Sequence, residues 1–393
     1  MTNEEFIAQH KDADVHRLAL SKVPAEVDLR YCLRQIEGMQ TARRKLPSWA
    51  KTEGIIYPPK LSMEQCSSEP TAHYKQHLVE RLLPTDRQRM VDLTGGFGID
   101  FCSLAKLFDD ADYVEQNEQL CEIARHNFTL LGLPKAQVHS KTCEDFIDGM
   151  GQYNLIYLDP SRRNRAGHKV IALSDCSPNI ETLQGTLLSH APMVIVKLSP
   201  MLDIQDAIRR LSNVSEVHVV SVDGECKEML LVLCREEKKV TYHCTNIAAR
   251  IHTFSTDVRN AEPIIASTPE RYLYEPNASI MKAGVQNALC QTYGVRKLHP
   301  FSHLFTSSTF IEDFPGRTFA IEDYGSFAKK DLKRLLTGIN QCNLTIRNFP
   351  STVAELLGRL KLREGGTCYL FATTLSDGSH ALLRCSLPIK SLL

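Results

Sequence analysis

Two short segments carry the residue types that can do chemistry. The first is Val91-Asp92-Leu93-Thr94-Gly95-Gly96-Phe97-Gly98, an apolar strand that ends in an acid and runs into three glycines within four residues. Glycine accepts φ > 0 and carries no Cβ, so such a loop turns tightly and lets backbone approach a ligand. The amides that open the helix behind it, Asp100 to Leu107, form a polar and slightly positive mouth. Together they suit a nucleotide-type cofactor. The second segment, Asp159-Pro160-Ser161-Arg162-Arg163, follows the apolar run Tyr153 to Leu158 directly. A carboxylate in that place can accept hydrogen bonds from an exocyclic amine and orient its lone pair, and the proline fixes the backbone so that a carbonyl can do the same. Such an amine in structured nucleic acid is reached only on an unstacked or flipped base, and Arg162, Arg163 and Arg165 suit the flanking phosphates.

The elements that must hold these segments alternate. Residues 1–64 read as a helical region, with Leu29, Cys32, Leu33, Ile36 and Met39 forming one apolar face and Arg43, Arg44, Lys45 and Lys51 gathered around Trp49. Next comes a helix with Ser68 as N-cap and Pro70 in its first turn; Ser68, Thr71 and Lys75 can line the cofactor site because the chain enters the glycine-loop strand from there. Residues 65–236 then alternate strands with helices, the pattern of a parallel sheet covered on both faces. The strands are Met90 to Leu93, Ala111 to Glu115, Gln137 to Ser140, Tyr153 to Leu158 and Met193 to Leu198, the last carrying Lys197 as a substrate-side cation. Two further strands, Val217 to Val222 and Glu228 to Cys234, are separated by a turn too short for a crossover helix, so they run antiparallel. Beyond a polar linker, residues 237–315 read as a small α+β (ferredoxin-like) unit with strands Val240 to Cys244, Ile264 to Ser267 and Arg271 to Tyr274 and one helix, Ala278 to Tyr293. Residues 316–393 read as a second α+β unit, whose helices carry Lys329, Lys330, Lys333 and Arg334, then Arg359, Lys361 and Arg363, the densest polyanion patch in the chain.

Composition sets the limits. The 393 residues are 43% hydrophobic and 23% charged, with 46 basic and 46 acidic side chains, so a polyanion must meet local patches rather than a long-range basic field. Thirteen dispersed cysteines show no C-x-x-C pair and no metal-type spacing, which predicts free thiols and no metal. The first residues lack a secretory pattern, and no apolar run reaches about 18 residues, so a cytoplasmic protein with no membrane partner is expected.

Joint spacing narrows the cofactor. The dinucleotide pattern G-x-G-x-x-G fails at Phe101, whereas an antiparallel seventh strand is what S-adenosyl-L-methionine-dependent methyltransferases have. In such a sheet the Gly95–Gly98 loop passes beneath the methionine and ribose, Glu115, 17 residues beyond Gly98, accepts the ribose hydroxyls, and Glu144 or Asp145 sits beside the adenine amine. These residues resemble class I adenosylmethionine-dependent RNA methyltransferases over residues 65–236: the loop from Asp92 through Thr94 to Gly98 is similar to the family's D-x-x-x-G-x-G, and the segment Ser67 to Lys75 resembles one in trimethylguanosine synthases. The whole chain looks most like the bacterial methyltransferases with a C-terminal THUMP-like domain, which share the D-P-x-R-R form at Asp159. The resemblance implies a doubly wound, Rossmann-like seven-stranded sheet, S-adenosyl-L-methionine held by Ser68, Thr71, Lys75, Asp92, Thr94, Gly95, Gly96, Phe97, Gly98, Glu115, Glu144, Asp145 and Asp159, and Asp159 and Pro160 as the catalytic pair. It implies RNA, ribosomal or transfer, as substrate. The usual amino-methylating motif has a second proline and an aromatic where this chain has Ser161 and Arg162, leaving Phe97, Tyr57 or Trp49 to stack on a base. A small-molecule or protein methyltransferase, and an RNA-binding protein with an idle cofactor site, are the alternative functions.

Overall fold

The computed structural model describes residues 1–161, 173–236 and 238–388. Its backbone divides into two units, Met1–Val217 with Glu228–Val240, and His218–Lys227 with Thr241–Leu393.

The first unit opens with helices α1 (Asn3–His10), α2 (Val15–Leu18), α3 (Leu29–Lys45), α4 (Pro47–Lys51) and α5 (Lys60–Gln65). Asp28 caps α3 by accepting from the Tyr31 amide, and the expected stripe is its inner face, with Cys32 and Ile36 fully buried. α3 stops at Lys45, just ahead of Pro47, which stands in the first turn of α4, where its missing N–H costs nothing. Helix α6 (Glu69–Leu82) then leads into β1 (Arg89–Asp92), α7 (Ile99–Ala105), β2 (Asp110–Glu115), α8 (Glu118–Leu130), β3 (Gln137–Ser140), α9 (Cys143–Ile147), β4 (Leu155–Leu158), α10 (Ile180–His190), β5 (Met193–Leu198), α11 (Ile204–Arg210), β6 (Val214–Val222) and β7 (Glu225–Cys234).

These strands lie in the order β3-β2-β1-β4-β5-β7-β6, seven of the nine strands of their sheet rather than the whole of it. β1 is parallel to β2 and β4, β2 to β3, and β4 to β5, whereas β7 runs antiparallel to β5. Every residue of β4 and β5 is buried, as a strand covered on both faces requires. The chain winds outward from β1 to β3 and returns to β4, so the order reverses between β1 and β4. That places the carboxyl ends of these two strands side by side, Asp92 in register with Tyr157.

The tip of the β6–β7 hairpin belongs to the second unit, which continues with the antiparallel pair β8 (Thr241–Ile247) and β9 (His252–Thr256). Then follow β10 (Tyr272–Pro276), α12 (Ala278–Ala283), α13 (Ala288–Tyr293), β11 (Arg296–Lys297), β12 (Phe305–Ser307), β13 (Gly316–Ser326), α14 (Lys329–Leu335), β14 (Gln341–Arg347), α15 (Val353–Leu360), β15 (Arg363–Thr374) and β16 (His380–Ser386). Seven of these strands form a sheet in the order β11-β12-β10-β13-β16-β15-β14. Two expectations need correction. The single helix Ala278 to Tyr293 is two, because Gly284 takes φ +73° and closes α12 with a left-handed cap. Ile264 to Ser267 is not a strand; it contributes one bridge, Ile265 with Lys297.

Candidate cofactor and catalytic site

The glycine loop is pressed against protein on one side and open on the other. A Cβ on Gly95 would stand 2.1 Å from the Tyr113 ring, and one on Gly98, at φ +84°, would stand 2.8 Å from Phe128. Any side chain at either position displaces β2 or α8. At Gly96, φ +57°, the nearest atom to such a Cβ is the Thr94 carbonyl oxygen at 3.8 Å, so this face of the loop has room beside it. The Tyr113 hydroxyl donates to the Gly96 carbonyl at 2.5 Å, and the Gly96 amide donates to Glu115 Oε2 at 2.9 Å. Glu115 Oε1 accepts from the Asn117 amide at 2.8 Å. Two backbone donors therefore fix the Glu115 carboxylate at the end of β2, directly beside the loop.

Thr94 joins the two motifs. Its amide donates to Asp92 Oδ1 at 2.9 Å and its hydroxyl lies 3.3 Å from the same oxygen, while that hydroxyl accepts from the Asp159 amide at 2.6 Å. The ends of β1 and β4 are thus tied by one side chain. Burial pushes the Asp92 carboxyl up to about 8, against the opposing pull of the Thr94 amide. In the folded chain Asp92 therefore keeps its proton at pH values where the unfolded chain, near 3.9, has lost it. The contribution of Asp92 to stability should fall as pH rises from about 4 to about 8 and level off above that. Asp92→Asn should remove this component: thermal melts of cofactor-free protein between pH 5 and 8.5 should show a smaller decline for the variant by a few degrees or more, and parallel declines would refute the assignment.

Beneath Asp159 lies a buried ionic network. Lys197 Nζ is 2.6 Å from Asp159 Oδ2, 3.3 Å from Asp100 Oδ2 and 3.1 Å from Ser67 Oγ. Lys75 Nζ is 2.5 Å from Glu228 Oε1, 3.2 Å from Asp100 Oδ1 and 3.3 Å from Ser67 Oγ. Asp100 Oδ2 also accepts from the Ser67 and Tyr157 hydroxyls, at 2.7 and 2.8 Å. Burial works to raise the Asp100 carboxyl, but Lys75 and Lys197, helped by the two hydroxyls, hold it well below the usual carboxylate range. Burial would likewise lower the Lys197 ammonium, and Asp159 and Asp100 hold it well above the ordinary lysine value. Asp100 and Glu228 have no place in the sequence motifs.

The expected site residues are placed unequally. Asp92, Thr94, Gly95, Gly96, Gly98, Glu115 and Asp159 gather at the adjoining ends of β1, β2 and β4. Pro160 follows Asp159 and is buried. Lys75, expected to line the cofactor site, is 0% exposed and committed to acids behind it. Lys197, expected to face substrate, has its three N–H donors matched by three acceptors. Ser68 stands at the N-cap of α6 without a capping hydrogen bond; its hydroxyl lies 3.3 Å from that of Thr71, which donates to the Ser68 carbonyl at 3.0 Å. Glu144 and Asp145 are exposed in the first turn of α9. Phe97 is buried and packs against Trp49 and Tyr57, at centroid distances of 4.9 and 6.5 Å; both of these are buried too, so none of the three presents an open ring face. Arg162, Arg163 and Arg165 lie outside the described residues. In the second unit Lys329, Lys330 and Lys333 are exposed on α14, whereas Arg334 pairs with Asp323 and Asp331.

Residues 272–315 match the family described as a ferredoxin-like domain, and residues 316–387 the family described as THUMP domain-like. The crystal structure of a putative methyltransferase from Porphyromonas gingivalis W83 aligns with a TM-score of 0.86 and 33% identity, covering 98% of this chain and 97% of that one. This chain belongs to the same family. Its frame is a Rossmann-like methyltransferase sheet followed by ferredoxin-like and THUMP-like modules. A putative RNA methyltransferase from Pyrococcus horikoshii (TM-score 0.35, 12% identity, 50% of this chain and 98% of that one) and a SAM-dependent methyltransferase from Agrobacterium tumefaciens (0.32, 17%, 43% and 62%) are too distant to support any argument. No curated protein matches the sequence. No described helix is long and apolar enough to cross a membrane, and none of the thirteen cysteines forms a disulfide.

Proposed function

We propose that this protein transfers a methyl group from S-adenosyl-L-methionine to a nucleobase in RNA, ribosomal or transfer RNA being the substrate class. The observation that carries the reading is the Thr94 bridge: the residue that opens the glycine loop also accepts from the Asp159 amide, so a cofactor-holding loop and an acid suited to orient an amine share one rigid edge of the sheet. The residues fit the cofactor. Gly96 leaves room beside the loop, and the two amide donors to Glu115 leave lone pairs on both its oxygens for the ribose hydroxyls. Glu144 or Asp145 would take the adenine amine, and Asp92, Ser68 and Thr71 would border the methionine end. Bound there, adenosylmethionine supplies the methyl. Asp159 would accept hydrogen bonds from the acceptor amine, and the backbone held by Pro160 would accept another, turning the nitrogen lone pair toward the methyl. The THUMP-like match and the exposed lysines of α14 support RNA as the acceptor.

Labelled methyl transfer to RNA from cells lacking the gene, followed by nucleoside analysis, tests the proposal. A methylated base in RNA from the deletion strain is the expected result. Transfer to a small molecule or protein alone would move the assignment within the methyltransferase class, and cofactor binding without any transfer would leave an RNA-binding protein with an idle site.

The cofactor part is tested separately. Glu115→Ala removes a charged acceptor, which costs about 1.5 to 3 kcal/mol, and calorimetry should record roughly tenfold to hundredfold weaker adenosylmethionine binding. Unchanged affinity in a folded variant, or a wild-type preference for a nicotinamide dinucleotide, would reject the assignment.

A further inference from the structure

We infer that Lys197 is a positioning residue for methyl transfer: its ammonium, anchored from behind by Asp100 and Ser67, fixes Asp159 through Oδ2 and so sets the angle at which the carboxylate meets the acceptor. The inference rests on the reading of Asp159 as the amine-orienting acid.

Asp159 is the last link between a rigid interior and the site. Its side chain is 38% exposed, whereas that of Lys197 is 10% exposed and that of Lys75 is 0%. An aspartate at a strand end has two rotatable bonds, and transfer falls steeply when the acceptor strays from its line with the methyl. The Thr94 hydroxyl holds only the backbone of Asp159. Among the described residues, the side chain is held by Lys197, at 2.6 Å. Among the described residues, Lys197 is in turn constrained by Ser67 ahead of α6 and Asp100 on α7, and through Asp100 by the Tyr157 hydroxyl on β4 and Lys75 on α6, itself paired with Glu228 on β7. Three acceptors on a three-donor ammonium leave no donor for an RNA phosphate. The position of Lys197 on β5 beside the carboxyl end of β4 thus serves Asp159 and not the substrate backbone.

A double-mutant cycle separates positioning from general structural support. Lys197→Met is made in the wild-type protein and in Asp159→Ala, with labelled adenosylmethionine as donor and total RNA from a strain lacking the gene as acceptor. If Lys197 acts through Asp159, Lys197→Met should lower kcat about 30-fold in the wild-type background and less than about twofold in Asp159→Ala, with adenosylmethionine affinity unchanged by calorimetry. An equal loss in both backgrounds would overturn the inference, since a structural role does not depend on Asp159. Full activity of Asp159→Ala alone would instead reject the underlying reading of Asp159. A crystal structure of Lys197→Met gives a readout independent of turnover: the Asp159 carboxylate should rotate away from its present direction, and an unmoved carboxylate would refute the positioning role. Should Lys197→Met not fold, it is made together with Asp100→Asn, which neutralises the carboxylate that loses its partner, and Asp100→Asn alone serves as the reference in both measurements.

Discussion

Replacing Asp159 with alanine is expected to lower methyl transfer by at least about a hundredfold while adenosylmethionine binds nearly as before, the scale of losing one oriented hydrogen-bonding group in a transition state. The separation follows from geometry. Glu115 and the glycine loop hold their positions through the Gly96 and Asn117 amides and the Tyr113 hydroxyl, donors that Asp159 does not supply. The contact from Asp159 to the loop is its amide to Thr94 Oγ1, which alanine keeps. What alanine loses is the carboxylate paired with Lys197. Because that leaves Lys197 with Asp100 as its ionic partner, some stability should be lost as well, so rates are to be compared below the variant's melting transition. Single-turnover transfer and calorimetry on the same preparations decide the matter. Retained turnover would place the acceptor-orienting group elsewhere, and a parallel collapse of cofactor affinity would make Asp159 a cofactor ligand first.

Much of the first unit was legible in sequence because its strands are short apolar runs with punctuated ends. Met193 to Leu198, stopped by Ser199-Pro200, is such a run and appears as β5, whereas the mostly polar Gln137 to Ser140, which appears as β3, is set off by Gly132 and Pro134 ahead of it. The turn around Asp223-Gly224 is too short for a crossover helix and so predicts the antiparallel β6–β7 hairpin that the sheet contains; in the structure both residues take φ > 0. Legibility ended where a side chain's role depends on a distant partner. Asp100 reads as an acid favoured at a helix start, and Glu228 as the polar end of an apolar strand; only folding brings them onto two lysines from α6 and β5. Lys75 stands just ahead of the cofactor-loop strand in sequence, yet sequence does not say which way a helix turns its long side chains. The same applies to Gly95: a glycine in a cofactor loop suggests room for ligand, but a Cβ there would strike Tyr113 behind the loop. In the second unit the helix pattern across Ala278 to Tyr293 outweighed one glycine, and the left-handed turn at Gly284 decided otherwise. The strand β9 was missed because His252–Thr256 is a five-residue edge with little apolar content.

The largest effect on RNA is expected from α14. Reversing Lys329, Lys330 and Lys333 to glutamate should flatten the slope of log affinity against log salt by roughly 2, at about 0.7 to 0.9 per lost phosphate contact, and weaken RNA binding about a hundredfold at physiological salt. Arg334 is better left in place. It pairs with Asp323 and Asp331 and donates to the Tyr324 carbonyl at 3.1 Å, so its loss would disturb β13 as well as any RNA contact. Arg359, on α15, is likewise engaged, its guanidinium 5.5 Å from the Phe327 ring centroid. The three lysines are exposed, and among the described residues none forms an ion pair within this unit, so a phosphate would meet them without displacing a protein partner. With 46 basic and 46 acidic residues in the chain, no general positive field would compensate for their loss. Filter binding or fluorescence anisotropy across a salt series, with calorimetry showing that adenosylmethionine still binds, separates this from misfolding. An unaltered slope would make α14 a solvated face and move the RNA grip to another part of the chain, while absence of any salt-sensitive binding by the wild-type protein would favour a small-molecule or protein acceptor.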